Sequence, residues 1–243
     1  MSDGAPGRPH RATISVPRTA PPAPPPGDEE PRGPDPSVLL PAALLALPMV
    51  AAFAAFGFTA EGMVEWGVSR AALAEGEWAL VGLHMFAHGG LVHIGFNLAA
   101  LLALTPPVMD RLGSLSLRTM AAFLVLFFVS GFGGLALWLA IPHDAPMLGA
   151  SGAIFGLLGF VLRQPDPDAP PIPLVGRDMA HAFWIFIKLH LPLIAIFLIP
   201  LLLGAGFGLA WEAHLGGFVA GLMLNTPLRR IAGAAMPAGP DEK

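Results

Sequence analysis

Six apolar segments, each bounded by charge, proline or glycine, limit the fold of this chain more than any other feature. They cover residues 38–58, 91–104, 119–141, 149–162, 189–205 and 210–226. Of the 243 residues 54% are hydrophobic and only 12% are charged, and the mean hydropathy is +0.66. Because a soluble domain of this size is far less apolar, the sequence predicts an all-α membrane protein with six spans. The short second and fourth segments are expected to lie inside the bundle, shielded by longer neighbours.

The sequence predicts three regions along the chain. Residues 1–37 are rich in proline and lack an apolar stretch, which favours a disordered cytoplasmic tail without a secretory signal peptide. Residues 38–227 form the predicted six-span domain, and residues 228–243 a short cytoplasmic tail. Cysteine is absent, and no basic patch interleaved with aromatic residues occurs, so the sequence indicates no disulfide framework and no nucleic-acid partner.

The positions of arginine and lysine predict the orientation of the spans. If the N-terminus lies inside, eleven basic residues fall on inner segments and only Arg70 falls on an outer loop. The eleven are Arg8, Arg11, Arg18, Arg32, Arg111, Arg118, Arg163, Arg177, Arg229, Arg230 and Lys243. The asymmetry favours cytoplasmic N- and C-termini. Lys188 is expected at the inner start of the fifth span, from which its long stem reaches the surface.

Under this topology the second, fourth and sixth spans all run from outside to inside, and each carries polar residues near its beginning. At ~1.5 Å per residue, Asn97, Ser151 and His214 lie roughly 18–22 Å from the charged residue that ends each segment. The polar residues are therefore expected at one level, in the outer part of the bilayer. Polar residues in a span normally face the bundle or a water-filled cavity, because exposing them to lipid costs several kcal/mol.

A serine and a histidine at this level suggest hydrolytic chemistry. Ser151 lies between Gly149 and Gly152, which leave room for a substrate backbone. His214 is followed by Gly217 and Gly221, and this small-residue seam is expected to pack the sixth span onto the fourth and to direct His214 at Ser151. A serine hydroxyl needs a base within hydrogen-bond reach, and a neutral imidazole is the usual one.

The second span supplies candidate donors for an oxyanion. His93 and Asn97 are four residues apart and share a helix face, so both side chains can donate an N–H towards one point, together with the Ser151 N–H. No carboxylate is placed to orient His214, since Glu212 points to another face. The sequence therefore predicts a dyad rather than a Ser-His-Asp triad. No metal-ligand pattern supports a metal or another cofactor.

Three motifs resemble those of rhomboid intramembrane serine proteases. They are His88, His93 and Asn97 at H-x4-H-x3-N spacing, Gly149 to Gly152 as G-x-S-G, and Ala213 to Gly221 as A-H-x-x-G-x-x-x-G. The resemblance covers nearly all of residues 38–226 and implies Ser151 as nucleophile, His214 as base, and the Ser151 N–H, His93 and Asn97 as oxyanion stabilisers.

The resemblance also implies supporting residues and a class of substrate. His88 matches a structural or water-retaining histidine, Phe155 replaces a tyrosine that stacks on the catalytic histidine, and Phe96 matches a bulky position near the substrate gate. The implied substrates are single-span membrane proteins. The chain departs from many rhomboids at Trp78-Ala79-Leu80, where the arginine of a Trp-Arg pair is missing, which puts the usual polar anchoring of the first outer loop in doubt.

Two further segments and three further histidines are assigned to the membrane surfaces or to solvent. Residues 59–83 predict an amphipathic insertion in the outer interface, and residues 178–187 an interfacial helix before span five. His181 and His190 are expected near the inner face, and His143 in solvent.

Two other functions are compatible with a polar site in a membrane protein. A catalytically inactive rhomboid-like clamp for membrane helices would show the loss of Ser151 or His214. A proton-relaying transporter would spread its polar residues through both leaflets and show a repeat.

Overall fold

The computed structural model of the protein describes residues 1, 35–59, 62–143, 145–202 and 208–234, with the backbone alone for residues 197–202. Most of the two predicted tails, and Asp144, lie outside the described residues. The described part is all-helical, as the sequence predicts, apart from one isolated bridge between Val68 and Met147.

Eight α-helices occur in the described residues, with three short 3₁₀ turns at Pro36–Leu39, Val64–Trp66 and His84–Phe86. The α-helices are α1 (Leu40–Phe56), α2 (Arg70–Ala74), α3 (Leu80–Leu83), α4 (Leu91–Leu112), α5 (Leu117–Ala140), α6 (Ser151–Leu162), α7 (Arg177–Leu202) and α8 (Trp211–Ala232). Four stretches are long and apolar enough to cross a membrane: Pro36–Phe56, Leu91–Leu112, Leu117–Ala140 and Arg177–Ile196. A multi-pass membrane protein is therefore confirmed.

The short helix α6 lies at the centre of the bundle. Its 12 residues extend only about 18 Å, and the segment from Gly152 to Leu157 is buried throughout. The helices α4, α5 and α8 all pack against it. The prediction that the fourth segment is short and shielded by its neighbours is confirmed, and the apolar wall around it keeps its polar first residue away from lipid.

Glycines set how closely α8 approaches α6. A side chain at Gly217 would collide with the carbonyl oxygen of Gly152, and one at Gly221 with the carbonyl oxygen of Gly156. The two backbones are therefore in direct contact along one helix face, which only glycine permits at these positions. This contact determines how far His214, one turn before Gly217, lies from the start of α6.

The helix that contains the second apolar segment is longer than the segment itself. The expectation that this segment is short is wrong, because α4 continues past residue 104 to Leu112, through Pro106 and Pro107. Arg111 donates to backbone carbonyls at the C-terminal end of α4: Nη1 to Pro107 O at 2.6 Å and Nε to Gln164 O at 2.6 Å. The second bond ties this end of the helix to the residues that follow α6, while the two prolines leave Leu102 O and Ala103 O without their helical amide donors.

The fifth span also begins earlier than predicted. Residues 178–187 do not form a separate interfacial helix, since α7 is continuous from Arg177 to Leu202. Lys188 lies eleven residues into this helix rather than at its start, and its ammonium group lies 5.9 Å from the centroid of the Trp184 ring, one turn earlier in the helix. Lys188 therefore does not mark a span boundary, because its long side chain carries the ammonium group along the helix to Trp184.

Candidate active site

The local backbone places Ser151 at the first residue of α6. Gly149 has a φ of +117°, a conformation that favours glycine, and its N–H donates to the carbonyl of His84 at 2.8 Å. A Cβ at Gly149 would lie 2.6 Å from Nε2 of His93. The turn before α6 thus requires glycine both for its backbone conformation and for the space that the His93 ring occupies. The Ser151 N–H lies in the first helical turn, where amides lack an intrahelical acceptor.

His214 lies directly opposite this serine. Its Nε2 is 2.7 Å from Oγ of Ser151, and its side chain is buried. The preceding residue, Ala213, brings its carbonyl oxygen against Gly152. The nucleophile and base candidates therefore meet next to the close backbone contact between Gly152 of α6 and Gly217 of α8.

A second histidine, His190 from α7, touches His214 on its other side. Nε2 of His190 lies 2.9 Å from Nδ1 of His214, and Nδ1 of His190 lies 2.9 Å from the carbonyl oxygen of Phe186. The expectation that His190 lies near the inner face is wrong. The error follows from the predicted start of the fifth span: counted from Arg177, His190 is 13 residues into α7, or about 20 Å from the N-terminal end of that helix. That is the level predicted for Ser151 and His214, so the correct helix start would have revealed it.

Phe155, one turn after Ser151, packs against both imidazoles. Its ring centroid lies 4.4 Å from that of His214 and 4.6 Å from that of His190, with interplanar angles of 24° and 29°. Phe186 closes the cluster with its ring 4.2 Å from His190. The aromatic rings restrict rotation of both histidines and surround them with apolar surface.

His93 and Asn97 both line the cavity that contains Ser151. The N–H of Gly89 donates to Nδ1 of His93 at 3.2 Å, so Nε2 is the nitrogen that carries the proton. This nitrogen faces Gly149, immediately before the serine turn. One N–H of the Asn97 amide donates to the His93 carbonyl at 2.9 Å, which leaves its second N–H for another acceptor.

Two further histidines support this side of the site. His88 is buried with its ring 5.1 Å from that of His93, edge to face. Burial, with a smaller contribution from the neighbouring His93, lowers the pKa of His88 to about 3. Burial lowers the pKa of His84 to about 4, and Nδ1 of His84 contacts the carbonyl oxygen of Leu80 at 3.1 Å. Both side chains are therefore neutral at pH 7 and act as packed, hydrogen-bonded parts of the loop that leads into α4.

The cavity has a volume of about 880 Å³ and a mostly apolar lining. Phe96 from α4 and Leu193 from α7 lie on its wall, and Trp138, His143 and Glu212 lie at another part. His143 is not simply solvated, since its ring stacks on Trp138 at 4.5 Å and its Nε2 lies 3.8 Å from the Glu212 carboxylate. A cavity of this size and polarity is typical of a ligand-binding site, and Ser151 lies on its wall.

Comparison with known proteins agrees with this architecture. The family model of the Rhomboid domain matches residues 75–231. The chain belongs to the rhomboid family. It is 31% identical over 176 residues to Rhomboid protease GluP of Bacillus subtilis (strain 168), covering 69% of this chain and 30% of that protein.

Two other relatives show similar levels of identity. RHOMBOID-like protein 4 of Arabidopsis thaliana is 30% identical over 148 residues, covering 61% of this chain and 33% of that protein. Putative rhomboid protease YdcA of Bacillus subtilis (strain 168) is 34% identical over 91 residues, covering 37% of this chain and 43% of that protein. The matched parts thus cover less than half of the length of each of these relatives.

Proposed function

We propose that this rhomboid-family protein is an intramembrane serine endopeptidase with Ser151 as nucleophile and His214 as general base. The observation that carries the proposal is the 2.7 Å contact between Oγ of Ser151 and Nε2 of a buried His214, on the wall of an apolar cavity. A buried imidazole in apolar surroundings is neutral, and a neutral imidazole is the form that accepts a proton. Two of the similar proteins carry the word protease in their names.

The proposed reaction has an acylation stage and a deacylation stage. In acylation, Oγ of Ser151 attacks the scissile carbonyl carbon while its proton passes to Nε2 of His214. This attack forms a tetrahedral intermediate with a negatively charged oxygen. His214 then returns the proton to the amide nitrogen as the C–N bond breaks, which leaves an acyl group on Ser151. A water molecule, deprotonated by His214, hydrolyses the acyl group and regenerates the serine hydroxyl.

Three donors are proposed to stabilise the oxyanion: the Ser151 N–H, the His93 Nε2–H and the second N–H of Asn97. The amide of Ser151 lies at the N-terminus of α6, where the helix dipole also favours negative charge. The hydrogen bond from Gly89 keeps the proton of His93 on the nitrogen that faces the serine turn. Each such donor lowers the barrier in known serine proteases by about 3–4 kcal/mol.

The proposed setting is a six-span domain in a bacterial plasma membrane with both termini in the cytoplasm, and with α6 and α8 as the fourth and sixth spans. The excess of arginine and lysine on one side supports this orientation. The proposed substrates are single-span transmembrane proteins, cleaved in or near the outer part of the bilayer. An apolar cavity bordered by α4 and α7 supports entry of such a segment from the lipid.

The test uses purified protein in detergent, a fluorogenic single-span reporter and a fluorophosphonate label. Wild type is expected to cleave the reporter and to take up the label, whereas Ser151→Ala and His214→Ala are expected to do neither while retaining their thermal unfolding transition. Ser130→Ala is the matched control, because Ser130 is also a buried serine in a membrane helix but lies outside the cavity lining. Undiminished cleavage by Ser151→Ala would refute the proposal, and a wild type that binds the reporter without cleaving it would favour a clamp.

A further inference from the structure

We infer that His190 is a positioning residue that fixes the tautomer and the ring orientation of His214. The inference deepens the proposed function and rests on it for its catalytic meaning. Its basis is the geometry of a hydrogen-bonded chain that runs from α7 through α8 to α6. The chain joins Phe186 O, His190, His214 and Ser151, with three successive contacts of 2.9, 2.9 and 2.7 Å.

The carbonyl oxygen of Phe186 determines which atom donates and which accepts in each hydrogen bond of this chain. The carbonyl oxygen of Phe186 can only accept, so Nδ1 of His190 must donate to it and carry the proton. A neutral His190 then has an unprotonated Nε2, which accepts from Nδ1–H of His214. His214 is left with an unprotonated Nε2, which is the nitrogen that lies against Oγ of Ser151. One backbone carbonyl thus selects the tautomer in which His214 can accept the serine proton.

The position of His190 corresponds to that of the carboxylate in a Ser-His-Asp arrangement. Glu212 lies near His143 rather than opposite Nδ1 of His214, with a carboxylate oxygen 3.8 Å from Nε2 of His143. A neutral imidazole acceptor suits a buried site in a membrane protein, because burying a carboxylate carries a large desolvation cost and burying an imidazole does not. When His214 takes the serine proton, its Nδ1–H still has an acceptor in Nε2 of His190.

The aromatic contacts have a different role from the hydrogen bond, and two substitutions separate them. His190→Phe retains a ring that can stack on Phe155 and Phe186 but removes the acceptor. His190→Gln places a carbonyl oxygen near the position of Nε2, which accepts from Nδ1–H of His214, but loses the ring. If the acceptor matters, Gln is the tolerated residue, and if packing alone matters, Phe is.

The kinetic test measures reporter cleavage by the full-length protein. We expect His190→Phe to lower kcat by about tenfold to a hundredfold with little change in KM, since one buried hydrogen bond is lost. His190→Gln is expected to retain most of kcat. A His190→Phe protein with wild-type kcat, or a His190→Gln protein that is the more impaired of the two, would overturn the inference.

A spectroscopic test separates the inference from the proposed activity. In Ser151→Ala protein labelled with ¹⁵N-histidine, the ring nitrogens of His214 are expected to show a single tautomer with the proton on Nδ1. Adding His190→Phe is expected to yield a mixture of tautomers or the Nε2–H form, and adding His190→Gln to retain the first. If this pattern is found but the protein with Ser151 intact cleaves no reporter, the positioning role stands and the protease assignment fails. An unchanged tautomer in the His190→Phe protein would refute the role of His190 even if the protease assignment holds.

Discussion

Replacing Gly217 by alanine tests whether contact between α6 and α8 sets the geometry of the site. The added methyl group would meet the carbonyl oxygen of Gly152, which belongs to the backbone and cannot rotate away. Relief therefore requires the two helices to separate. Gly152 follows Ser151 directly, and Gly217 lies one turn after His214, so the separation acts on the Ser151–His214 contact itself.

The magnitude follows from contact distances. Carbon and oxygen atoms pack no closer than roughly 3–3.5 Å, so the helices must move apart on the order of 1 Å. A shift of that size would lengthen the 2.7 Å contact between Ser151 and His214 beyond hydrogen-bond range. A misplacement of this size costs about a hundredfold in rate, and overpacking costs about 1–3 kcal/mol of stability. The melting temperature is then expected to fall by about 2–12 °C.

The assay compares reporter cleavage and thermal unfolding of Gly217→Ala with those of Gly95→Ala. Gly95 lies in the second turn of α4, and a Cβ there would meet no atom within 4 Å, so this variant is expected to unfold at or slightly above the wild-type temperature. It controls for the general effect of alanine in a membrane helix. Wild-type activity and melting temperature in Gly217→Ala would refute the argument that backbone contact positions the pair.

Three further predictions concern the surroundings of the pair. Gly149→Ala is expected to lose most activity in the reporter assay, since its positive φ and the His93 ring both exclude a Cβ, whereas Gly82→Ala, with open space at the Cβ, should retain it. Phe155→Leu is expected to lower kcat in the reporter assay with little change in KM, because the stacking that restricts the His214 ring is lost. Burial lowers the pKa of His84 to about 4 in the folded protein, so below about pH 6.5 the unfolded chain binds a proton at this residue more readily than the folded protein does. The stability that His84 contributes above pH 6.5 is therefore lost as the pH falls towards 4, and the loss between pH 7 and pH 5 is about 2 kcal/mol. His84→Asn, which retains a donor for the Leu80 carbonyl, should therefore show a smaller fall in melting temperature between pH 7 and pH 5 than wild type. An equal fall in the two proteins would contradict this assignment.

Much of the fold was accessible from the sequence because long apolar segments have few alternatives in a membrane. The first and third spans, the short central helix α6 and the seam of Gly217 and Gly221 all follow from local composition and spacing. The ends of α4 and α7 did not follow. Proline and lysine normally mark helix ends in a sequence, but α4 continues through Pro106 and Pro107, and the Lys188 side chain lies over Trp184 of its own helix.

The sequence by itself determined the chemistry available to this protein: a serine between glycines, a histidine before a glycine seam, and the rhomboid motifs that link them in order. These are local patterns, whose meaning depends on residues close together in the chain. Only the tertiary structure decided what lies on the far side of His214. His190 comes from another helix, 24 residues earlier, and neither residue type nor spacing identifies it, because its contact depends on where α7 begins and how it packs against α8 and Phe155.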